Sequence, residues 1–354
     1  MKKIALASAI ALASITAAHA APTVYGKVFL GVDYINTDYE DAKKDDTSDT
    51  KLQSHVSRIG FKGEDELTDT SKLIYQLEYG IKADDNSTQF TSRNTYLGVA
   101  HNTLGTLLAG RHDTPYKLSK GSVAQFDDYA ETDIAKVMYG ENRENNIIAY
   151  KSPTLVGMPL TFMGAVKLSE NDSSEDKMLA DTVYKADGSV DKKAVYTKEA
   201  KQKDNGYSAS LAYDQNGVYL GAGFDSNIGY ADSAWRLAGS VDMGKMNMVD
   251  GLMLGAMYQN TDVYNTPEDE KSWLVSGKYK IGATPWAVKA QYVNTDNYKG
   301  GKDDQATEIA LGSEYTFNKA TKAHMYVAQI NKDMAAANKD EDKTIVGAGL
   351  EYKF

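Results

Sequence analysis

Apolar residues alternate with polar ones along most of the chain, whereas the spacing of an amphipathic helix is almost absent. In residues 28–34 every second position is apolar, and Gly31 and Asp33 lie between them. Residues 346–354 repeat the pattern at the C-terminal end. Period-two alternation is typical of β-strands with one apolar and one polar face. The sequence therefore predicts an all-β protein.

The alternation predicts sixteen strands joined by two kinds of connection. The strands start near Val24, Val56, Leu73, Asn94, Thr106, Asn145, Leu160, Tyr207, Val218, Trp235, Leu252, Trp273, Trp286, Ile309, Ala323 and Thr344. Odd-numbered connections, such as Asp38–Lys51, are long and charged, except for a shorter one after Asp225. Even-numbered ones are mostly short turns such as the one at Asn216-Gly217. An even strand number with one long-loop end is typical of an outer-membrane β-barrel.

The first twenty residues predict export. Lys2 and Lys3 precede a small, apolar stretch that is too short to span a bilayer, and Ala18-His19-Ala20 has the small residues of a cleavage site. We expect residues 1–20 to be a signal peptide and residues 21–354 to be a single barrel domain. Without Lys2 and Lys3 the net charge of -10 becomes -12, because 37 Lys and Arg then face 49 Asp and Glu.

The composition agrees with a sheet that is closed in lipid. The chain has 24 Tyr, which suits the two bilayer interfaces, and its mean hydropathy of -0.48 reflects polar residues at alternate positions. Unpaired backbone groups at a sheet edge are too costly in lipid, so the first and last strands must pair with each other. This pairing is expected to bring the Ala21 amine near the Phe354 carboxylate. Sixteen strands leave a water-filled lumen. A secreted sandwich or solenoid is the alternative, but it does not explain the alternating connections.

Several classes of function are disfavoured. The absence of cysteine excludes disulfides and thiolate sites, and the acidic balance argues against a nucleic-acid partner. A hydrolase needs a nucleophile with a histidine base, but His55, His101, His112 and His324 lie near strand ends without a motif. We also find no phosphate loop or metal motif. We therefore expect no enzyme, no cofactor and no metal.

Short motifs in order along the mature chain carry a family resemblance. They are Val24–Lys27, Ser57–Gly63, Leu104–Arg111 with Thr114–Tyr116, Asn145–Pro153 and the terminal Tyr352-Lys353-Phe354. The chain resembles the Gram-negative general diffusion porins, the family of trimeric sixteen-stranded transmembrane antiparallel barrels. The resemblance implies passive diffusion of small hydrophilic solutes and ions across the outer membrane of a Gram-negative bacterium. It also implies a homotrimer in contact with outer-membrane lipid and lipopolysaccharide.

The resemblance further implies an inward-folded third loop, Asp113–Asn142, that narrows the pore. Its acidic residues are Asp127, Asp128, Glu131 and Asp133, and the opposing basic wall is Arg58, Arg93, Arg111, Arg143 and Lys151. Arg93 and Lys151 are placed by strand parity and neighbourhood. The sequence departs from the family pattern at Ala149, where relatives often carry a lumen-facing Arg.

Two related functions stay open at this point. A substrate-specific porin would need a track of aromatic residues in the lumen. A surface adhesion or phage-receptor barrel with incidental pore activity would use the long polar connection Ser169–Asn205.

Overall fold

The computed structural model describes residues 21–40, 44–85, 89–155, 158–169, 175–180, 183–184, 190–192, 195–199, 204–335 and 340–354. The predicted signal peptide, residues 1–20, lies outside these described residues. The described part contains no helix that is long and apolar enough to cross a membrane.

Sixteen antiparallel strands form the sheet, as the alternation predicted. They are β1 (Thr23–Tyr39), β2 in two segments (Thr47–Ser54 and Arg58–Thr68), β3 (Ser71–Ile81), β4 (Phe90–His101), β5 (Gly105–Asp113), β6 (Arg143–Lys151), β7 (Leu160–Lys167), β8 (Gly206–Gln215), β9 (Val218–Ile228), β10 (Ala231–Asp242), β11 (Leu252–Val263), β12 (Glu270–Lys280), β13 (Trp286–Asp296), β14 (Gln305–Thr316), β15 (Thr321–Asp333) and β16 (Glu341–Lys353). Each strand pairs with its neighbours in the chain.

The two end strands close the sheet into a barrel. β1 pairs with β16 from Lys27 to Tyr39, and the Gly26 amide donates to the Phe354 carbonyl at 2.9 Å. Closure removes the unpaired edges that lipid would not tolerate. The pairing between β1 and β16 ends at Gly26, and Ala21 lies beyond it. The proximity of the Ala21 amine to the Phe354 carboxylate therefore stays a prediction.

β2 is interrupted at residues 55–57. Val56 has a φ of 45°, a conformation that is unfavourable for a β-branched residue. The Ser57 hydroxyl replaces the missing strand contacts, since it accepts from the Phe29 amide at 3.0 Å and donates to the Phe29 carbonyl at 3.2 Å. The strand already begins at Thr47, so the predicted connection Asp38–Lys51 was too long and its second strand started too late.

The two faces of the sheet differ as predicted. Val32 and Leu237 are exposed on the outer face, whereas Asp33 and Arg236 on the inner face are fully buried. Trp286 packs against Tyr315 on the outer face with ring centres 4.9 Å apart, which is the kind of aromatic pair that bilayer interfaces favour.

The connections confirm the alternation in part. Asn216 and Gly217 have φ values of 53° and 84°, as the predicted tight turn between β8 and β9 requires. The connection between β10 and β11, residues 243–251, is longer than the predicted short turns. Within the long polar connection, Glu175–Ala180 pairs with Val195–Glu199, and Val183–Tyr184 pairs with Val190–Lys192.

Candidate pore constriction

Residues 114–142, called loop 3 below, join β5 to β6 and lie against the inner face of the barrel. The two ends of the loop meet at the barrel wall, where the Thr114 amide donates to the Asn142 carbonyl at 3.1 Å. It begins with the short helix α1 (Pro115–Leu118), which Thr114 caps by accepting from the Lys117 amide. The Tyr116 amide then donates to the Ser208 hydroxyl of β8 at 3.0 Å.

Backbone groups in the middle of loop 3 bond to side chains of the barrel wall. The Gln125 amide donates to the Gln291 side-chain oxygen at 2.8 Å, and the Lys289 ammonium donates to the Gln125 carbonyl at 2.9 Å. Further along, the Ala130 amide donates to Nδ1 of His55 at 3.2 Å. These wall residues lie on β13 and at the break of β2, so loop 3 crosses from one side of the inner face to the other.

An apolar cluster under loop 3 adds to these bonds. Val123, Phe126, Ile134 and Val137 of the loop are fully buried, and they belong to one cluster with wall residues such as Leu274. Complete burial of such a side chain contributes about 1.5–3 kcal/mol. The inner face is therefore not uniformly wet, because part of it forms a small core with the loop.

Arg236 of β10 is a fully buried charge in this contact. Its guanidinium donates to the Gln259 side-chain oxygen at 2.7 Å and to the Tyr139 carbonyl at 3.0 Å. It also lies 3.5 Å from Glu141 and stacks on the Tyr116 ring at 4.4 Å. One wall residue thereby holds both ends of loop 3.

The four predicted acidic residues all lie on loop 3, but their environments differ. Asp127 pairs with Lys120 of the same loop, and Asp133 caps the short turn Ile134–Lys136 by accepting from Ala135 at 2.9 Å. Glu131 accepts from Gln53 of β2 at 3.1 Å and lies 3.4 Å from Lys343 of β16.

Asp128 connects loop 3 directly to a basic part of the wall. Its carboxylate lies 2.8 Å from the Lys27 ammonium of β1 and 3.6 Å from the guanidinium of Arg58 of β2. Half of the Asp128 side chain is exposed, whereas the Lys27 side chain is almost completely buried. Arg58 is thus the predicted wall residue that the structure brings to a predicted loop carboxylate.

The other predicted basic residues pair elsewhere. Arg93 of β4 binds Glu78 of β3 at 2.7 Å, and Arg143 binds Asp113 at 2.9 Å at the base of loop 3. Lys151 is exposed and lines a cavity of about 340 Å³ beside the start of loop 3.

Arg111 faces away from the lumen. Its strand partner is Thr95, which pairs in turn with the exposed Leu77 on the outer face. The next residue, His112, packs on Tyr96 from the inner face at 5.3 Å between ring centres. The Arg111 guanidinium donates to the Asn145 side chain at 2.6 Å. The structure therefore does not bring Arg111 to the acidic loop.

Sequence reasoning missed Lys27, Arg236 and Lys289 as partners of loop 3. All three lie at inward positions of alternating strands, so parity marks them as lining the lumen. Parity gives no information on which lumen residues the loop reaches across the barrel.

Two neighbouring carboxylates on loop 3 titrate differently. Burial raises the pKa of Asp127 to about 6, with a further rise from Glu141 that Lys120 opposes. Burial also disfavours the charged form of Asp128, but Lys27 and Arg58 hold the pKa of that carboxyl below its usual range. At pH 7 both are negative, and at pH 5 only Asp128 is.

We expect the cation-to-anion permeability ratio to fall about twofold between pH 7.5 and pH 5, with a midpoint near pH 6. Protonation removes the Asp127 charge, and one charge at ~8 Å in water is worth about 0.5 kcal/mol. Reversal potentials in a KCl gradient measure the ratio. Asp127→Asn should lack the step, and the same midpoint in that variant would contradict the assignment.

Comparisons with known proteins agree with this architecture. The family model for the Gram-negative porin matches residues 5–336. Major outer membrane protein P.IB of Neisseria gonorrhoeae is 25% identical, with 100% of both chains covered, and protein P.IA of Neisseria meningitidis serogroup B is 25% identical over 86% of this chain and 74% of its own.

Among solved structures, the anion-selective porin from Comamonas acidovorans superposes with a TM-score of 0.66 at 19% identity, covering 94% of this chain and 99% of its own. At that identity the likeness shows the fold. The match to the family model spans most of the sequence. The chain therefore belongs to the Gram-negative porin family and is a pore-forming β-barrel of the outer membrane.

Proposed function

We propose that the protein is a general diffusion porin whose narrowest part is formed by loop 3 and the wall opposite it. The contact between Asp128 on the loop and Lys27 and Arg58 on the wall carries the proposal. It sets negative and positive groups side by side at a half-exposed position in the lumen. Family membership points to a channel rather than an enzyme.

A contact of opposite charges at the edge of a water-filled pore acts on passing solutes through its field. At ~8 Å in water each charge interacts with a passing ion by only about 0.5 kcal/mol, which steers ions without holding them. Polar, hydrated solutes align with the field and pass. Apolar solutes are disfavoured, because they would have to displace the water molecules that the field orders. This arrangement favours passive diffusion over tight binding.

The interior supports general diffusion over a substrate-specific pore. The aromatic residues that sequence parity places on the inner face near loop 3, Phe29 and Tyr326, are buried, as are Phe126 and Tyr129 of the loop. They pack on one another, with Tyr129 and Tyr326 rings 4.6 Å apart. Their faces are therefore unavailable for a sugar or a ring-shaped substrate to slide along.

We further propose a homotrimer whose outer face contacts lipid, lipopolysaccharide and neighbouring barrels. Arg111 supports an interface on the β4–β6 side of the barrel. The Arg111 guanidinium on the outer face donates to the Asn145 side chain and to the Ser92 carbonyl, and its remaining N–H donors are left for another molecule. In pure hydrocarbon such a charge is costly.

Reconstitution in planar bilayers tests the function. We expect large ohmic conductance steps that occur in threes, together with permeation of small sugars in a liposome swelling assay that slows steeply with solute size. A folded, heat-modifiable protein that gives no steps would contradict the proposal and favour an adhesive or structural barrel.

A further inference from the structure

A cavity of about 330 Å³ lies between loop 3 and the wall, toward the end of the barrel with the short connections. Its position follows from the strand ends, because Glu314 lies near the end of β14 and Lys322 near the start of β15, beside the short turn that joins them. On the loop side it is bounded by Ser122 and Gln125. Small-molecule sites begin at about this size.

Three lysine side chains in this cavity share one carboxylate. The Lys278 ammonium of β12 lies 2.7 Å from Glu314, and those of Lys289 and Lys322 lie 3.3 Å from it. One negative charge against three positive charges leaves an excess of two. This part of the lumen is thus positive in a chain whose net charge is -10.

The remaining charges along the cavity balance one another. Lys27 lies 3.7 Å from Glu351 and 2.8 Å from Asp128, and Lys353 lies 3.1 Å from Glu351. Two lysines against two carboxylates add no net charge. Asp127 is likewise paired with Lys120. The lining alone has four lysines and four carboxylates, but Lys27 and Lys120, which lie outside the lining, pair with Asp128 and Asp127. The excess of two around Glu314 therefore remains once these partners are counted.

The three lysines differ in whether their ammonium donors are available to a ligand. Lys289 is almost completely buried, donates to the Gln125 carbonyl and sits 4.5 Å and 4.4 Å from the Phe126 and Tyr129 ring centres, so it is fixed in place. Lys278 and Lys322 are about 30% exposed, and in the described structure each donates to Glu314. An ammonium has three donors, so both retain donors for a ligand.

We propose that this cavity binds compact anions with two or three negative charges on oxygen, the chemistry that di- and tricarboxylates and phosphate share, as they pass through the pore. The ligand's oxygens take the free donors of Lys278 and Lys322, and its charge neutralises the excess of two. The site rests on the proposed pore function and deepens it, because it makes the channel retain multivalent anions longer than chloride. A low-dielectric wall focuses the field of such a group.

The test is inhibition of open-channel KCl current by citrate and by inorganic phosphate, each at matched ionic strength. We expect both anions to reduce the current of the natural protein at millimolar concentration. Lys278→Gln combined with Lys322→Gln removes the excess charge, so half-inhibition should need at least about tenfold more anion. Glu314→Gln raises the excess to three and should lower the concentration needed.

Lys245→Gln is the matched control, since Lys245 is exposed at the same end of the barrel and pairs with Asp242 away from the cavity. If citrate alone inhibits, the site recognises carboxylates spaced along a chain. If both anions inhibit, the site recognises multiple negative charge on oxygen, whichever group carries it. Equal half-inhibition in the double variant and the Lys245→Gln control would overturn the site. Absence of conductance steps in the natural protein would instead overturn the pore function.

Discussion

Replacing Arg236 with methionine is expected to release loop 3 from the barrel wall. Methionine fills a similar volume but leaves Glu141 and the Gln259 side-chain oxygen without their guanidinium partner in a fully buried site. Glu141 keeps Lys117 and Lys120, so the main loss is that of the charged hydrogen bonds to Gln259 and the Tyr139 carbonyl, which are worth about 1.5–3 kcal/mol each. The cost falls on the loop, because the strands of β10 and β11 keep their backbone pairing.

Trypsin measures this release, because Lys117, Lys120 and Lys136 on loop 3 are cleaved when the loop leaves the wall. Proteolysis through an opened state follows the opening equilibrium, so cleavage should speed up at least about a hundredfold. Open-channel current noise should rise as well. Arg93→Met is the control: it removes the same charge from a pair within the wall, Arg93 and Glu78. Similar cleavage rates in the two variants would disprove the anchoring role of Arg236.

The strands were predictable because their cause is local. A residue such as Leu237 faces lipid and its neighbour Arg236 faces the interior, so the period of two is written directly into the sequence. The Asn216-Gly217 turn was predictable for the same reason, since its φ values suit few other residue pairs. The break in β2 at Val56 was missed because it depends on the contact between Ser57 and Phe29, and these two residues are far apart in the sequence.

The contacts of loop 3 were not predictable, because they join positions far apart in the chain. Tyr116 and Ser208, or Gln125 and Gln291, meet only after the barrel has closed. The resemblance predicted the loop, and the role of its acidic residues in a constriction stays a prediction. The resemblance misplaced Arg111, whose side of the sheet is shown by its pairing with Thr95.

Neutralising Asp127 and Asp128 together is expected to shift ion selectivity toward anions. The Asp128 carboxylate stands beside Lys27 and Arg58 at a half-exposed position, and its loss removes the nearer carboxylate of each. Lys27 then keeps only Glu351 at 3.7 Å, and Arg58 keeps only Glu78 at 3.8 Å. Asp127→Asn leaves Lys120 paired with Glu141, so the loop should stay folded. Two charges worth about 0.5 kcal/mol each at ~8 Å in water change the cation-to-anion permeability ratio about fivefold.

Reversal potentials across a KCl gradient give this ratio, and heat-modifiable migration confirms that the double variant is folded. Asp45→Asn with Asp250→Asn is the matched control, because both residues are exposed and belong to connections outside the lumen. The control should keep the ratio of the natural protein, since charges at the two mouths are screened by salt over roughly 10 Å at 0.1 M. An unchanged ratio in the loop 3 double variant would remove Asp127 and Asp128 from the constriction. A change of equal size in the control would show instead that net charge, and not the field at loop 3, sets the selectivity of the pore.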